Sequence, residues 1–83
     1  MSTVTYYGAD WCSDCRRSKK LMDTLGVTYV EKNVEESAEY TAEAEKIAGR
    51  KNIPVIQFDD GVFLVEPTDA ALFAELKVRG LAS

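Results

Sequence analysis

The chain has no histidine. That excludes Cys–His nucleophilic sites, Cys₂His₂ zinc, histidine general bases and histidine-ligated haem. Only two cysteines are present, too few for the disulfide framework of a small secreted domain. No apolar run is long enough to span a bilayer. Met1-Ser2-Thr3-Val4 shows neither a basic n-region nor an apolar h-region, so no export signal is read and the cytoplasm is the expected location. Basic residues are outnumbered, ten against fourteen acidic, for a net charge of −4. That balance argues against nucleic acid or an anionic membrane as the main partner. No repeat, low-complexity tract or interdomain linker is found. The 83 residues, 46% hydrophobic and 29% charged, are expected to form a single domain, 1–83, of ordinary globular composition.

Both cysteines fall in one stretch, Trp11-Cys12-Ser13-Asp14-Cys15. Two intervening residues put the sulfurs within reach of each other when the pair opens a helix. Attack on a disulfide needs a thiolate, and a helix N-terminus offers unpaired N–H groups and partial positive charge that favour one. The second cysteine, a turn further in, can attack the resulting mixed disulfide. Next to a βαβ pattern such a pair reads as a thiol–disulfide centre. It also suits a structural disulfide, or half of a zinc site shared by a dimer.

The surrounding pattern is βαβ. Thr3–Tyr7 is β-branched and aromatic, as strands are, and Gly8-Ala9-Asp10 loops into the cysteines. Over Ser13–Leu25 the positions Cys15, Ser18, Leu21, Met22 and Leu25 recur at helical spacing, with Gly26 as the stop. Val27–Val30 is the second strand, parallel to the first. A polar connection, Glu31–Glu36, leads to Ser37, an N-cap, and to a helix over Ala38–Ala48 stopped by Gly49. Pro54–Phe58 is a third strand. Asp59-Asp60-Gly61 turns it back into Val62–Val65 as an antiparallel hairpin. Asp69–Arg79 is the last helix. The fold class is α/β, in the order β-α-β-α-β-β-α, a four-stranded mixed sheet carrying three helices.

Around the motif, Trp11 reads as a partly exposed wall of the site or as core. Arg16, Arg17, Lys19 and Lys20 read as a solvated helix face or as a cationic cluster that favours the thiolate and steers anionic partners. Asp14, beside the nucleophile, is expected to oppose its charge.

The chain resembles the glutaredoxin family of the thioredoxin fold, and within it the actinobacterial mycoredoxins. The resemblance rests on the cysteine motif after the first strand, on Gly49-Arg50-Lys51-Asn52-Ile53-Pro54 before the third, on Phe58-Asp59-Asp60-Gly61, and on Glu66-Pro67-Thr68-Asp69 before the last helix. It implies an enzyme, a thiol–disulfide oxidoreductase, with Cys12 as nucleophile and Cys15 as resolving thiol. It also implies a cis Ile53–Pro54 bond whose outward backbone docks the substrate like an added strand. Trp11, Ser13, Asp14, Arg50, Thr68 and Asp69 are the implied contacts to thiol or substrate. Arg50 could cap the second helix or meet a carboxylate, and Thr68 and Asp69, a helix start in either case, could offer their N–H groups to an anion.

Two departures stand out. Glutathione-using members carry a lysine before the motif and a Gly-Gly pair before the last helix; here those regions hold Ala9-Asp10 and Glu66-Pro67. Mycoredoxins depart similarly and act on mixed disulfides with mycothiol. The implied substrates are disulfide-containing or S-thiolated proteins. No metal or bound cofactor is implied. Electrons come from mycothiol or glutathione, or from a thioredoxin- or mycothione-type reductase, and the protein is expected to be monomeric. The alternatives are a thioredoxin-like donor to ribonucleotide reductase fed by a flavoprotein reductase, and a dimeric metal or iron–sulfur binding module.

Overall fold

The structure, a computed structural model, describes residues 3–82. The leader reading at Met1-Ser2 and the last residue of the expected domain, Ser83, lie outside the described residues. Seven elements follow in order: β1 (Val4–Gly8), α1 (Ser13–Thr24), β2 (Val30–Asn33), α2 (Ala38–Ala48), β3 (Val55–Phe58), β4 (Phe63–Val65) and α3 (Asp69–Val78). The sheet runs β2-β1-β3-β4. β1 pairs with β2 in parallel and with β3 antiparallel, and β3 pairs with β4 antiparallel. The mixed four-stranded sheet and three helices expected from the sequence are present. Among the described residues no helix is long and apolar enough to cross a membrane.

Strand alternation sorts the core into two layers. Val4, Tyr6, Ile56 and Phe58 share one face, packed with Cys15 and Met22 of α1 and with Leu72 and Leu76 of α3. Tyr7 and Val55 face the other way, against Ala44 of α2. Arg79, the C-cap of α3, lies 4.1 Å over the Phe58 ring and bonds Asp60 at 3.0 Å and Glu75 at 2.8 Å. It latches the hairpin turn to the end of the last helix.

The second strand corrects the sequence reading. Val27–Val30 was the expected span, but pairing starts at Val30 and runs through Glu31, Lys32 and Asn33. The cause is the end of α1. Gly26, at φ +72°, donates to the Asp23 carbonyl at 3.2 Å, and Val27 donates to that of Met22 at 2.9 Å. This is a Schellman cap, whose last residue turns its apolar side chain back onto the helix. Val27 is buried by the cap, and the strand that follows lies at the sheet edge, where Val30 is exposed and Glu31, Lys32 and Asn33 are polar.

Gly8 was expected in the loop and instead ends β1, where its missing side chain is a steric requirement. A Cβ there would stand 2.3 Å from the Tyr6 hydroxyl and 2.5 Å from its Cζ. The Tyr6 ring cannot readily yield. It is 2% exposed and meets the Tyr29 ring edge-on, with centroids 5.9 Å apart. Gly8→Ala is therefore expected to destabilise the fold by about 1–3 kcal/mol, the usual penalty for overpacking. Urea unfolding measures it; an alanine variant as stable as the parent would show that the ring has somewhere to go.

Candidate active site

Cys12 is the N-cap of α1, with extended backbone at φ −87°, ψ 118°. Its sulfur takes the place normally filled by a serine or aspartate oxygen and accepts the Cys15 main-chain N–H at 3.3 Å. Such a position, with free donors and the positive end of the helix dipole, suits an anion. On its other side the sulfur lies 3.9 Å from the Ile53 carbonyl, to which its S–H donates. The Ile53–Pro54 bond is cis, as the resemblance implies. Pro54 is buried, and its carbonyl accepts the Glu66 N–H at 2.9 Å.

Cys15 is in a different environment. Its side chain is fully buried, and burial, followed by the hydrogen bond with Cys12, pushes its thiol up to about 12. Hydrogen bonds from the Ala9 main chain and the Tyr6 hydroxyl work the other way. Both cysteines are free thiols, and only Cys12 is partly open to solvent. A small alkylating agent at neutral pH is therefore expected to label Cys12 and leave Cys15 untouched. Only the thiolate reacts, so Cys15 labelling should climb about tenfold per pH unit while the pH remains below that value. Mass mapping of the labelled peptides checks this; equal labelling at pH 7 would contradict the burial argument.

The remaining expected residues form two groups. Trp11 is 66% exposed, so it is no part of the core, and its indole N–H donates to Glu35. Trp11, Glu35, Thr41, Glu45, Arg50 and Ile53 help line a cleft of about 250 Å³ between the β1–α1 loop, α2 and the cis-proline loop. Cys12 is outside this lining and borders it through Trp11 and Ile53. Gly49, at φ +74°, caps α2, which leaves Arg50 to face the cleft. The six ion pairs found among the described residues do not involve it.

The second group gathers on Arg17. Its guanidinium lies 3.2 Å from Asp14 and 3.4 Å from Asp69, and it donates to the Pro67 carbonyl at 3.3 Å. Asp14, read from sequence as a charge set against the thiolate, is thus answered by a cation one helical turn on. Thr68 caps α3, its hydroxyl accepting the Ala71 N–H at 3.1 Å. Ser13, the first residue of α1, is exposed. Glu35 and Arg17 were not singled out as contacts. The (i, i+3) spacing of Asp14 and Arg17 was the available signal for one; nothing local marks the other.

The glutaredoxin family model matches residues 4–63. A glutaredoxin of Neisseria meningitidis is 33% identical over 57 residues, 68% of this chain and 67% of its own. A glutaredoxin-named protein of Mycobacterium tuberculosis is 28% identical across 95% of this chain and 96% of its own. Among solved structures, a glutaredoxin from Archaeoglobus fulgidus superposes with a TM-score of 0.73 at 20% identity, covering 98% of this chain and 86% of the other; that likeness speaks for the fold. With a Cys-x-x-Cys pair opening the first helix and the cis-proline loop set against it, the chain belongs to the glutaredoxin family of thiol–disulfide oxidoreductases.

Proposed function

We propose that the protein removes a low-molecular-weight thiol from S-thiolated proteins, with Cys12 as the attacking sulfur, and that the thiol is mycothiol. One observation carries the reading: the part-exposed Cys12 sulfur sits between a helix N-terminus and the Ile53 carbonyl, beside a cleft. The Cys12 thiolate attacks the small thiol's sulfur. The disulfide bond to the protein's cysteine sulfur breaks, the protein leaves as a thiolate, and Cys12 holds the small thiol as a mixed disulfide. A second small thiolate then attacks that adduct, releasing the symmetrical disulfide and free Cys12. Trp11, Ile53 and Pro54 flank the adduct. Ser13, Asp14, Thr68 and Asp69 lie on the α1–α3 side, where a protein substrate would rest.

The choice of thiol follows from charge. The cleft presents Arg50 and Lys51 against Glu35 and Glu45, two charges of each sign. A balanced, donor- and acceptor-rich lining suits an uncharged, sugar-linked thiol such as mycothiol better than anionic glutathione. Ala9-Asp10 before the motif and Glu66-Pro67 before α3 add no cation for a carboxylate. The test offers one protein carrying either mycothiol or glutathione as a mixed disulfide. The mycothiolated form is expected to be cleared at least about tenfold faster, the weight of one good contact. Equal or reversed rates would overturn the choice of thiol. Turnover of neither would overturn the de-thiolation reading.

A further inference from the structure

Tyr6 is a buried titratable group that the reaction above does not use. Its hydroxyl donates to the main-chain carbonyl of Cys15 at 3.1 Å, in a buried contact with the residue whose thiol is the second of the pair. Gly8 leaves the space that the hydroxyl fills. The ring reaches along β1 beneath α1 only because residue 8 has no Cβ. The Tyr29 ring closes the site from the side. Hydrogen bonding from the Ala9 main chain and the Tyr6 hydroxyl favours charge on Cys15, against the burial that opposes it.

We propose that Tyr6 is the positioning residue for the second step of exchange, its hydroxyl turning from the Cys15 carbonyl to the Cys15 sulfur when that sulfur carries charge. The inference rests on the reading of Cys12 as attacking and Cys15 as resolving thiol. In that step Cys15 loses its proton to solvent and attacks the Cys12 sulfur of the mixed disulfide. The bond from Cys12 to the small thiol breaks, that thiol leaves as a thiolate, and the Cys12–Cys15 disulfide forms. In reverse, a small thiolate attacks Cys12 and Cys15 departs as a buried anion. Both directions create charge on Cys15, which is buried in this structure, and a donated hydrogen bond is strongest when its acceptor is charged. The hydroxyl is a permanent donor. Burial, then the neighbouring Cys15 charge, holds Tyr6 protonated well above its ordinary range. The other ionisable groups acting on the pair are Cys12 on α1 and Glu31 on β2.

An aromatic disulfide that releases one coloured thiolate per step separates the stages. The first release reports attack by Cys12, the second attack by Cys15. Tyr6→Phe is expected to leave the first release within about twofold of the parent, to slow the second about tenfold, and to displace its pH profile upward. Fluorotyrosine at position 6, a stronger donor of nearly the same shape, should restore the second release to the parent rate or above. A second release in Tyr6→Phe that keeps the parent rate and pH profile would overturn the proposal. So would equal slowing of both releases, which marks a merely structural role. The same assay on Cys15→Ser tests the underlying reading separately. One release is expected; none would show that Cys12 is not the attacking sulfur and would overturn both.

Discussion

Cys12→Ser is expected to lose de-thiolation by about 10³-fold or more, because a serine hydroxyl at this position remains un-ionised and cannot hold the small thiol. Cys15→Ser is expected to retain most of it. The small thiol taken by Cys12 can be removed by a second small thiol, and the buried Cys15 takes no part in that route. The asymmetry is built into the site. Cys12 meets solvent as a helix cap, whereas Cys15 is enclosed. On a protein dithiol substrate the roles converge, since Cys15 must then release Cys12, and Cys15→Ser should leave the target covalently attached. Both variants assayed on one mixed-disulfide substrate decide the matter. Loss in Cys15→Ser as complete as in Cys12→Ser would defeat the one-thiol mechanism and favour the thioredoxin-like alternative.

The second large effect concerns the sheet. Ile56 is fully buried, with Tyr6 of β1 on one side and Leu64 of β4 on the other. Ile56→Ala removes three carbons from a layer that α1 and α3 both cover. The expected loss is about 2–5 kcal/mol, out of the roughly 5–15 kcal/mol that holds a domain of this kind together. The melting temperature should fall by at least about 8 °C. Because Ile56 pairs with Tyr6, the damage should extend to the floor beneath Cys15. A loss below about 1 kcal/mol in thermal unfolding would show that the two helices close over the gap.

Much of this arrangement was legible in the chain. Ser37 and Gly49 bracket α2 at the residues read as its caps. The Asp60-Gly61 turn forms the expected hairpin, with the Asp60 carboxylate accepting the Val62 N–H at 3.1 Å. Signals of this kind are local, a side-chain oxygen or a residue free of Cβ where the backbone needs one. The misplaced β2 had no local signal. Val27 is apolar because it closes a helix cap, and Glu31-Lys32-Asn33 pair with β1 although their composition resembles a loop. An edge strand takes its identity from its neighbour, which a single segment does not reveal. Tyr6 failed to register for a related reason. A tyrosine alternating in a strand reads as core, and nothing in the strand tells that its hydroxyl meets Cys15 nine residues later. Asp14 was read as a charge opposing the thiolate, and the fold pairs it with Arg17. The cysteine motif and the order of elements were open to reading because each is a contiguous pattern, and the cis proline was expected only through the family resemblance.

The two ends of α3 are fastened by different physics. At the far end the Arg79 guanidinium lies 4.1 Å over the Phe58 ring, its side chain 14% exposed, so cation–π and apolar contact reinforce its ion pairs. At the thiol end Leu72 is held in the core, and the ion pair that joins the helix start to α1 is Arg17–Asp69, with side chains 45% and 53% open to water. Dissolved ions weaken exposed pairs over a Debye length of about 10 Å at 0.1 M and leave dispersion contacts almost untouched. Rising ionic strength should therefore loosen the Arg17–Asp69 link between α1 and the start of α3 while the Arg79 contact at the other end stays fixed, like a door that loosens at the handle and not at the hinge. The wall beside the thiol site would then answer to the salt content of the surroundings before it answers to heat.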